Sequence, residues 1–235
     1  TGETSFDMLV EVYAEAAQGL LEGGVDVLLL ETQQDLLELK AAIHGVWRAF
    51  RCLNLRVPLQ AQITLDAGGR MLTGPDIVAV AATLAALPVD VMGINCSTGP
   101  EEMRDAVRRL VTLSARPVCV MPNAGMPQNV GGKAIYTLAP GAFAIAMAEF
   151  AAWGVRAMGG CCGTGPEHIE ALRSALDCRG VEGQRGREIS VYNHPVLPYL
   201  ASGVQAVALH QEPRPLLVGE RINTQGSKVA RTLVL

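Results

Sequence analysis

The chain alternates helix-like and strand-like segments about five times between Ser5 and Asp177. The strand-like segments, such as VDVLLLE and VDVMGIN, are almost continuously apolar, and helix-length segments separate them. Strands of this kind are typical of a parallel sheet that is buried on both faces, with helices as the crossovers. The alternation therefore predicts an α/β fold.

Local signals place the ends of several helices. Ser5 is expected to cap the first helix, because its side chain can accept a hydrogen bond from the first turn. Proline is favoured in the first helical turn, where no amide donor is needed. Later helices are accordingly predicted to begin near Pro75, Pro100, Pro140 and Pro166.

The predicted strands share a second feature, which is a polar or reactive residue where the strand ends. Glu31, Asp66 and Cys96 all lie at such positions. This arrangement favours a (β/α)8 TIM-type barrel, whose functional residues lie at the carboxyl ends of the strands. A doubly wound sheet is the alternative. Since about five of the eight strand–helix units are present, we expect a barrel truncated at its N-terminus.

The pattern changes after Asp177. Residues 181–213 begin with a segment rich in Gly and Arg that lacks periodicity, and we interpret them as a linker. The segment RPLLVGERINTQGS then has the form of a strand followed by a polar turn. The predicted organisation is a partial barrel over residues 1–180, a linker over 181–213 and the start of a second domain over 214–235.

Charge and hydropathy exclude several classes of protein. The formal net charge is −4, so no basic field indicates binding to nucleic acid or to an anionic membrane. No signal peptide is recognisable, and no apolar run reaches membrane-spanning length. We therefore expect a cytoplasmic protein whose six cysteines are reduced.

Three cysteines lie in two short motifs at predicted strand ends. Cys96 belongs to GINCSTGP, and the adjacent Cys161 and Cys162 belong to GGCCGTGPEHI, 65 residues further on. Three thiolates brought together by a barrel could hold a zinc ion with one coordination position open, as a catalytic zinc requires. Two alternatives remain at this point, namely small buried packing residues and a disulfide between Cys161 and Cys162.

Four motifs occur in a characteristic order: LLLETQQDLLELKAAI, GINCSTGPEEM, MPNAGMP and GGCCGTGPEHI. Together they resemble the homocysteine S-methyltransferase family, and in particular the homocysteine-binding module of its cobalamin-dependent members. The resemblance implies a (β/α)8 barrel with a zinc ion on Cys96, Cys161 and Cys162. It also implies that zinc-activated homocysteine thiolate accepts a methyl group from methylcobalamin, giving methionine, and that 5-methyltetrahydrofolate regenerates the methylcobalamin.

The same resemblance implies roles for further residues. Asn123 corresponds to a fourth zinc ligand in the absence of substrate, and Glu31 to the glutamate that binds the ammonium group of homocysteine. Two further candidates for substrate binding follow from position alone, namely Asp66 at another strand end, which could border the pocket, and Asn95 beside Cys96, which could orient a ligand. From the residues alone, Asn95 could instead close a backbone hydrogen bond, and Asp66 could organise the turn at Gly68.

The chain departs from the family at both ends. Three strand–helix units that the family has are missing ahead of Thr1. VGERINTQGS resembles the first strand of a methyltetrahydrofolate-binding barrel, with Asn223 in its pterin-contacting position. The expected partners are homocysteine and the cobalamin-binding module of the same polypeptide, and the cobalamin and folate sites would lie on other modules.

An incomplete barrel exposes sheet edges, so we expect the isolated chain to self-associate or swap segments and to have little activity. Two alternatives remain open. One is a stand-alone homocysteine S-methyltransferase that uses betaine or S-methylmethionine, and the other is a non-catalytic zinc-binding fragment.

Overall fold

A computed structural model describes residues 4–178 and 199–209 of the chain. The helices of this part are α1 (Phe6–Glu22), α2 (Leu36–Leu53), α3 (Ile77–Ala85), α4 (Pro100–Leu113), α5 (Pro140–Trp153) and α6 (Pro166–Asp177). Its strands are β1 (Leu28–Gln33), β2 (Leu59–Ile63), β3 (Val91–Asn95), β4 (Val118–Met121), β5 (Gln128–Val130), β6 (Lys133–Ile135), β7 (Ala157–Met158), β8 (Tyr199–Ala201) and β9 (Ala206–Ala208).

Five of the strands form one parallel sheet in the order β1-β2-β3-β4-β7. Each strand pairs with the next one along the chain, apart from the β5–β6 hairpin, and a helix forms each connection. The predicted α/β class with a parallel sheet is confirmed. The described strands show no reversal of order, which a doubly wound sheet would have, and the sheet is consistent with a partial TIM-type fold.

The helices begin where the sequence signals predict, with one shift. Ser5 caps α1 by accepting a hydrogen bond from the backbone N–H of Met8, and prolines open α4, α5 and α6. The third helix begins at Ile77 and not at Pro75, because the side chain of Asp76 caps it. Across residues 4–178 and 199–209, no helix is long and apolar enough to cross a membrane.

The two faces of the sheet differ in chemistry. Leu59, Ala61 and Ile63 of β2 point to one face, and all three are fully buried in the apolar core that includes helix side chains. On the other face, Gln62 of β2 donates a hydrogen bond to the thiol of Cys119 on β4, at 3.1 Å. One face therefore supplies the core, and the other carries buried polar groups.

Glycine makes this polar contact across the sheet possible. Gly93 of β3 pairs with Gln62 on one side and with Cys119 on the other. A Cβ atom at Gly93 would lie 2.6 Å from the carbonyl oxygen of Cys119 and 2.9 Å from Cγ of Gln62. The missing side chain thus leaves the space through which Gln62 reaches Cys119.

Two antiparallel hairpins were not predicted. The β5–β6 hairpin lies between β4 and α5, and all its strand residues are exposed. The β8–β9 hairpin falls within residues 181–213, which we interpreted as a linker. Ser202 stabilises its turn by accepting hydrogen bonds from the N–H groups of Val204 and Gln205. The expected second domain over 214–235, including Asn223, lies outside the described residues.

The close packing of α2 on α1 provides a test of the fold. A Cβ atom at Gly45 of α2 would lie 2.7 Å from the carbonyl oxygen of Val10 and 2.8 Å from Cβ of Tyr13, both on α1. We expect Gly45→Ala to force the two helices apart and to lower the free energy of unfolding by about 1–3 kcal/mol, measured by urea denaturation.

Gly19 of α1 provides the matched control. A Cβ atom there would meet nothing within 4 Å, so Gly19→Ala should raise the free energy of unfolding by about 0.5–1 kcal/mol. Equal effects of the two substitutions would contradict the close packing of α1 on α2.

Candidate metal centre

The three cysteines of the two motifs converge at the carboxyl edge of the sheet. Cys96 follows β3, and Cys161 and Cys162 lie in the loop after β7. The sulfur of Cys162 lies 3.7 Å from that of Cys96 and 3.9 Å from that of Cys161, and all three sulfurs lie within 4.8 Å of one another. All three thiols are free, so the disulfide alternative does not apply to this structure.

The spacing of the sulfur atoms fits a tetrahedral metal ion. A zinc–sulfur bond of about 2.3 Å and tetrahedral angles place two sulfur ligands about 3.8 Å apart. The two sulfur–sulfur distances of 3.7 and 3.9 Å bracket this value. Thiolates are soft ligands that favour zinc over magnesium or calcium. Among the described residues, this is the only such group of three or more metal-ligating side chains.

The loop that follows β4 holds the two cysteine motifs together. Its backbone, residues 121–124, lies between the loop of Cys96 and the loop of Cys161 and Cys162, and it forms hydrogen bonds with both. These bonds join Cys96 N–H to Met121 O (3.1 Å), Asn123 N–H to Thr98 O (3.0 Å), Cys161 N–H to Pro122 O (2.8 Å) and Ala124 N–H to Cys162 O (2.9 Å). Backbone hydrogen bonds thus fix both cysteine loops relative to the loop after β4.

The loop of Cys96 has an unusual backbone. Cys96 and Ser97 have φ angles of 62° and 67°, in the left-handed region that non-glycine residues rarely adopt. The following Gly99 packs against Gly125, and a Cβ atom at Gly99 would lie 2.7 Å from the Cα of Gly125. Backbone strain of this kind is typical of functional sites, where the surrounding structure holds it in place.

Asn123, expected as a fourth ligand, is almost fully buried beside the cysteines. Its side-chain oxygen accepts a hydrogen bond from the backbone N–H of Cys162, at 3.0 Å. Asn123 therefore fixes the orientation of the peptide that carries this thiol. An amide oxygen has a second lone pair, which this hydrogen bond leaves available.

Asn95 connects the metal-site cysteines to the end of β1. Its side chain accepts a hydrogen bond from the N–H of Thr32 (3.0 Å) and donates one to the hydroxyl of Thr32 (2.7 Å). The same amide nitrogen also lies 3.8 Å from the sulfur of Cys161. Thr32 has a φ of 56°, so Asn95 holds a strained residue next to Glu31. Asn95 is itself completely buried.

Glu31 and Asp66 lie at two other strand ends. The pairing of β1 with β2 is irregular between Leu30 and Gln33, and this bulge contains the exposed Glu31. Bulges of this kind redirect side chains next to functional sites. Asp66 is also exposed, but one of its oxygens accepts hydrogen bonds from the N–H groups of Gly68 and Arg70. Asp66 thus organises the turn.

Tyr136 is a residue of this site that the sequence did not indicate. It follows β6, and its ring packs against Gly163, the residue directly after Cys162. In the sequence it lies 26 residues before Cys162, in a segment without a recognisable motif. Only the chain path through the β5–β6 hairpin brings it to the cysteines, so no local pattern could have identified it.

Burial controls the protonation of two thiols. Burial first, and then the neighbouring Cys96 and Cys162, raise the pKa of Cys161 to about 12. Burial likewise raises the pKa of Cys119 to about 11, and the charge of Glu31 adds to this. At neutral pH without a cation, both groups hold their protons. A metal ion at the three-cysteine site must therefore displace protons, which makes its affinity increase with pH.

Comparisons with known proteins agree with the motifs. The family model described as homocysteine S-methyltransferase matches residues 1–176. The chain is 40% identical over 236 aligned positions to the methionine synthase of Mycobacterium leprae and 39% identical to that of Mycobacterium tuberculosis. Both alignments cover 100% of the chain but 19% of the relative, so the chain spans about a fifth of the length of these relatives.

Solved structures with a similar fold include the homocysteine methyltransferase MmuM from Escherichia coli. Its apo form aligns with a TM-score of 0.58 at 26% identity, over 74% of this chain and 59% of that one. Its metallated form aligns with a TM-score of 0.51 at 27% identity, over 68% of this chain and 51% of that one.

Thiol accessibility generates a test of this geometry. In metal-free protein at pH 8 we expect an alkylating reagent to modify the exposed Cys162 and Cys52 and to spare Cys119. The pKa of Cys119 is raised from 9.0 to about 11, which lowers its thiolate fraction about 100-fold, and burial blocks access further. Peptide mass mapping over time measures the three rates.

Unfolding in urea should make the rates equal. If Cys119 in the folded protein reacted as fast as Cys52, its placement on the buried polar face of the sheet would be wrong.

Proposed function

The chain belongs to the homocysteine S-methyltransferase family, and we propose that it is the homocysteine-binding zinc module of a methionine synthase. Cys96, Cys161 and Cys162 are the proposed zinc ligands. The observation that carries the proposal is the set of three free thiols with the sulfur spacing of a tetrahedral zinc site. Identity of about 40% to methionine synthases over the whole chain supports the assignment within the family.

Three protein ligands leave one tetrahedral position for the substrate. When bound, zinc supplies a Lewis acid that makes the thiol of homocysteine lose its proton at neutral pH. The three cysteine thiolates would hold that ion and leave its fourth position open. Before substrate binds, the second lone pair of the Asn123 oxygen is available as the fourth ligand.

Glu31 is the proposed partner of the substrate ammonium group. Its place in the β1 bulge puts a carboxylate at the same sheet edge as the thiols. Asn95 supports this position indirectly, because it holds Thr32, the residue that follows Glu31. In this proposal Asn95 positions Thr32, and Asp66 organises the turn that follows β2. Neither residue has to contact the substrate.

The proposed reaction is transfer of a methyl group to the homocysteine sulfur. The chain would hold the homocysteine sulfur, whose lone pair forms the new sulfur–carbon bond of methionine. Methylcobalamin on another module would supply the methyl group and keep the electron pair of its cobalt–carbon bond, and 5-methyltetrahydrofolate would supply the replacement methyl group. Both donors would bind other modules of a longer protein, in keeping with the fifth of the relatives' length that this chain spans.

We further propose that residues 1–180, with their five-stranded sheet, form part of a (β/α)8 barrel that is closed in the longer protein, and that a linker over 181–213 and the start of the folate module over 214–235 follow. Three buried polar atoms support the closure, because they have no hydrogen-bond partner among the described residues. They are Gln33 Oε1, Gln60 Nε2 and Gln62 Oε1. Buried polar groups are normally paired, so further barrel strands are expected to provide their partners.

Substitution of single cysteines tests the ligand assignment. Cys161→Ala should abolish stoichiometric zinc binding, because it removes one of three thiolates. Cys119→Ala should retain zinc, since Cys119 is bonded to Gln62 on the sheet and is not part of the cluster. Zinc content by elemental analysis after gel filtration distinguishes the two variants, and equal zinc in both would refute the assignment.

The role of Glu31 is tested by Glu31→Gln, which keeps the shape of the side chain and removes its charge. A hydrogen bond to a charged group contributes about 1.5–3 kcal/mol, so KM for homocysteine, measured in the protein at its full natural length, should rise about 10- to 100-fold. Zinc content should not change. Asp66→Asn is the matched control at a neighbouring strand end, and a similar rise in KM for that variant would contradict the assignment to Glu31.

A further inference from the structure

His168 is a buried polar residue of the GGCCGTGPEHI motif that does not belong to the cluster of three cysteines. It lies in the first turn of α6, and only 6% of it is exposed. Its ring meets the ring of Phe143 on α5 edge-on, with the centroids 5.6 Å apart. Because an unpaired polar atom is costly to bury, both ring nitrogens need partners. Those partners indicate what the residue does.

The two nitrogens of His168 have opposite hydrogen-bonding roles. Nδ1 accepts a hydrogen bond from the backbone N–H of Gly165, at 3.1 Å. Nε2 lies 2.9 Å from the carbonyl oxygen of Leu138, which can only accept, so Nε2 carries the proton and donates it. The carboxylate of Glu167 lies 3.8 Å from Nδ1, beyond hydrogen-bonding distance. These partners require a neutral imidazole with its proton on Nε2.

From Leu138, backbone hydrogen bonds lead back to Cys162. The N–H of Leu138 donates to the carbonyl oxygen of Ala124, at 3.0 Å, and the N–H of Ala124 donates to the carbonyl oxygen of Cys162, at 2.9 Å. Gly165, the other partner of His168, lies three residues after Cys162 in the chain. The path therefore leaves the cysteine loop through the backbone of two other segments and returns to it through the imidazole. These five residues form a closed hydrogen-bonded ring.

The peptide groups on both sides of Cys162 are fixed by this ring and by its neighbours. The N–H of Cys162 donates to the side-chain oxygen of Asn123, at 3.0 Å, while its carbonyl oxygen accepts from Ala124 within the ring. Next to it, the hydroxyl of Thr164 donates to the carbonyl oxygen of Cys161, at 2.7 Å. Only His168 contributes a side chain to the ring, so a substitution there can open the ring without altering the backbone.

We propose that His168 is a positioning residue of the metal centre, which holds Cys162 in place by closing the hydrogen-bonded ring with a neutral imidazole protonated on Nε2. The proposal rests on the zinc-binding function proposed above for the three cysteines. A ligand whose peptide groups are already fixed loses little conformational freedom when the ion binds, so the ring preorganises Cys162. Hydrogen bonds behind the ligands of other metal sites contribute to affinity by orienting those ligands.

Two substitutions of His168 test the proposal in the protein at its full natural length. His168→Met keeps an apolar side chain in the buried site but can neither accept from Gly165 nor donate to Leu138. We expect its zinc affinity, measured by competition with a chromophoric chelator, to fall about 10-fold. In His168→Gln the amide oxygen can accept from Gly165, as glutamine does in a capping box, and the amide nitrogen can donate to Leu138. This variant should restore most of the affinity.

Asp76→Ala is the matched control for the loss of a helix cap. Asp76 accepts hydrogen bonds from the N–H groups of Val78 and Ala79 at the start of α3, the helix that follows β2. Its removal should lower the midpoint of urea unfolding, because a cap is lost. Zinc affinity should remain that of the wild type, since this cap is not part of the hydrogen-bonded ring.

Hydrogen exchange of zinc-free protein, followed by mass spectrometry, measures the ring directly. The amides of Ala124 and Leu138 should exchange faster in His168→Met than in the wild type or in Asp76→Ala, because the ring is open only in that variant. Unchanged exchange or unchanged zinc affinity in His168→Met, or an equal loss of affinity in His168→Gln or Asp76→Ala, would overturn the role of His168 and leave the zinc site standing. A wild-type protein that binds no zinc would instead overturn the proposed function.

Discussion

The candidate metal centre depends on one short stretch of backbone, residues 121–124 after β4. Its four hydrogen bonds reach Cys96 and Thr98 on one side and Cys161 and Cys162 on the other. Since β3, β4 and β7 are adjacent parallel strands, their carboxyl ends meet at one edge of the sheet, and this loop fills the space between the two cysteine loops. The sulfur spacing that suits zinc is thus a consequence of sheet order.

The two faces of the sheet have different roles, because one contributes to the apolar core and the other carries polar side chains. One face packs apolar side chains of β2, such as Leu59 and Ile63, into the core with the helices, whereas the other carries Gln62, Asn95 and Cys119. The non-glycine residues with strained backbone in this region, Thr32, Cys96 and Ser97, all lie at the carboxyl end of the sheet. Such strain can be maintained there because the apolar face supplies most of the favourable burial free energy.

The sequence predicted the helices whose first turn carries a clear signal, such as proline, but it did not predict the short hairpin strands. The helices Pro140–Trp153 and Pro166–Asp177 have a proline at their first position and were predicted at these bounds. The β5–β6 and β8–β9 hairpins were missed, because their strands have only three residues each. A strand of three residues is too short to show the alternation of apolar and polar side chains that identifies a strand in a sequence.

The sequence by itself determined the α/β class, the three cysteines and the family, because these depend on apolar periodicity and on motifs that are contiguous in the chain. Only the tertiary structure decided which groups surround the thiols. The hydrogen bonds that join Asn123 to Cys162 and Asn95 to Thr32 connect residues at least 39 positions apart. Contacts at such separations depend on strand register and loop path, which only the folded sheet fixes.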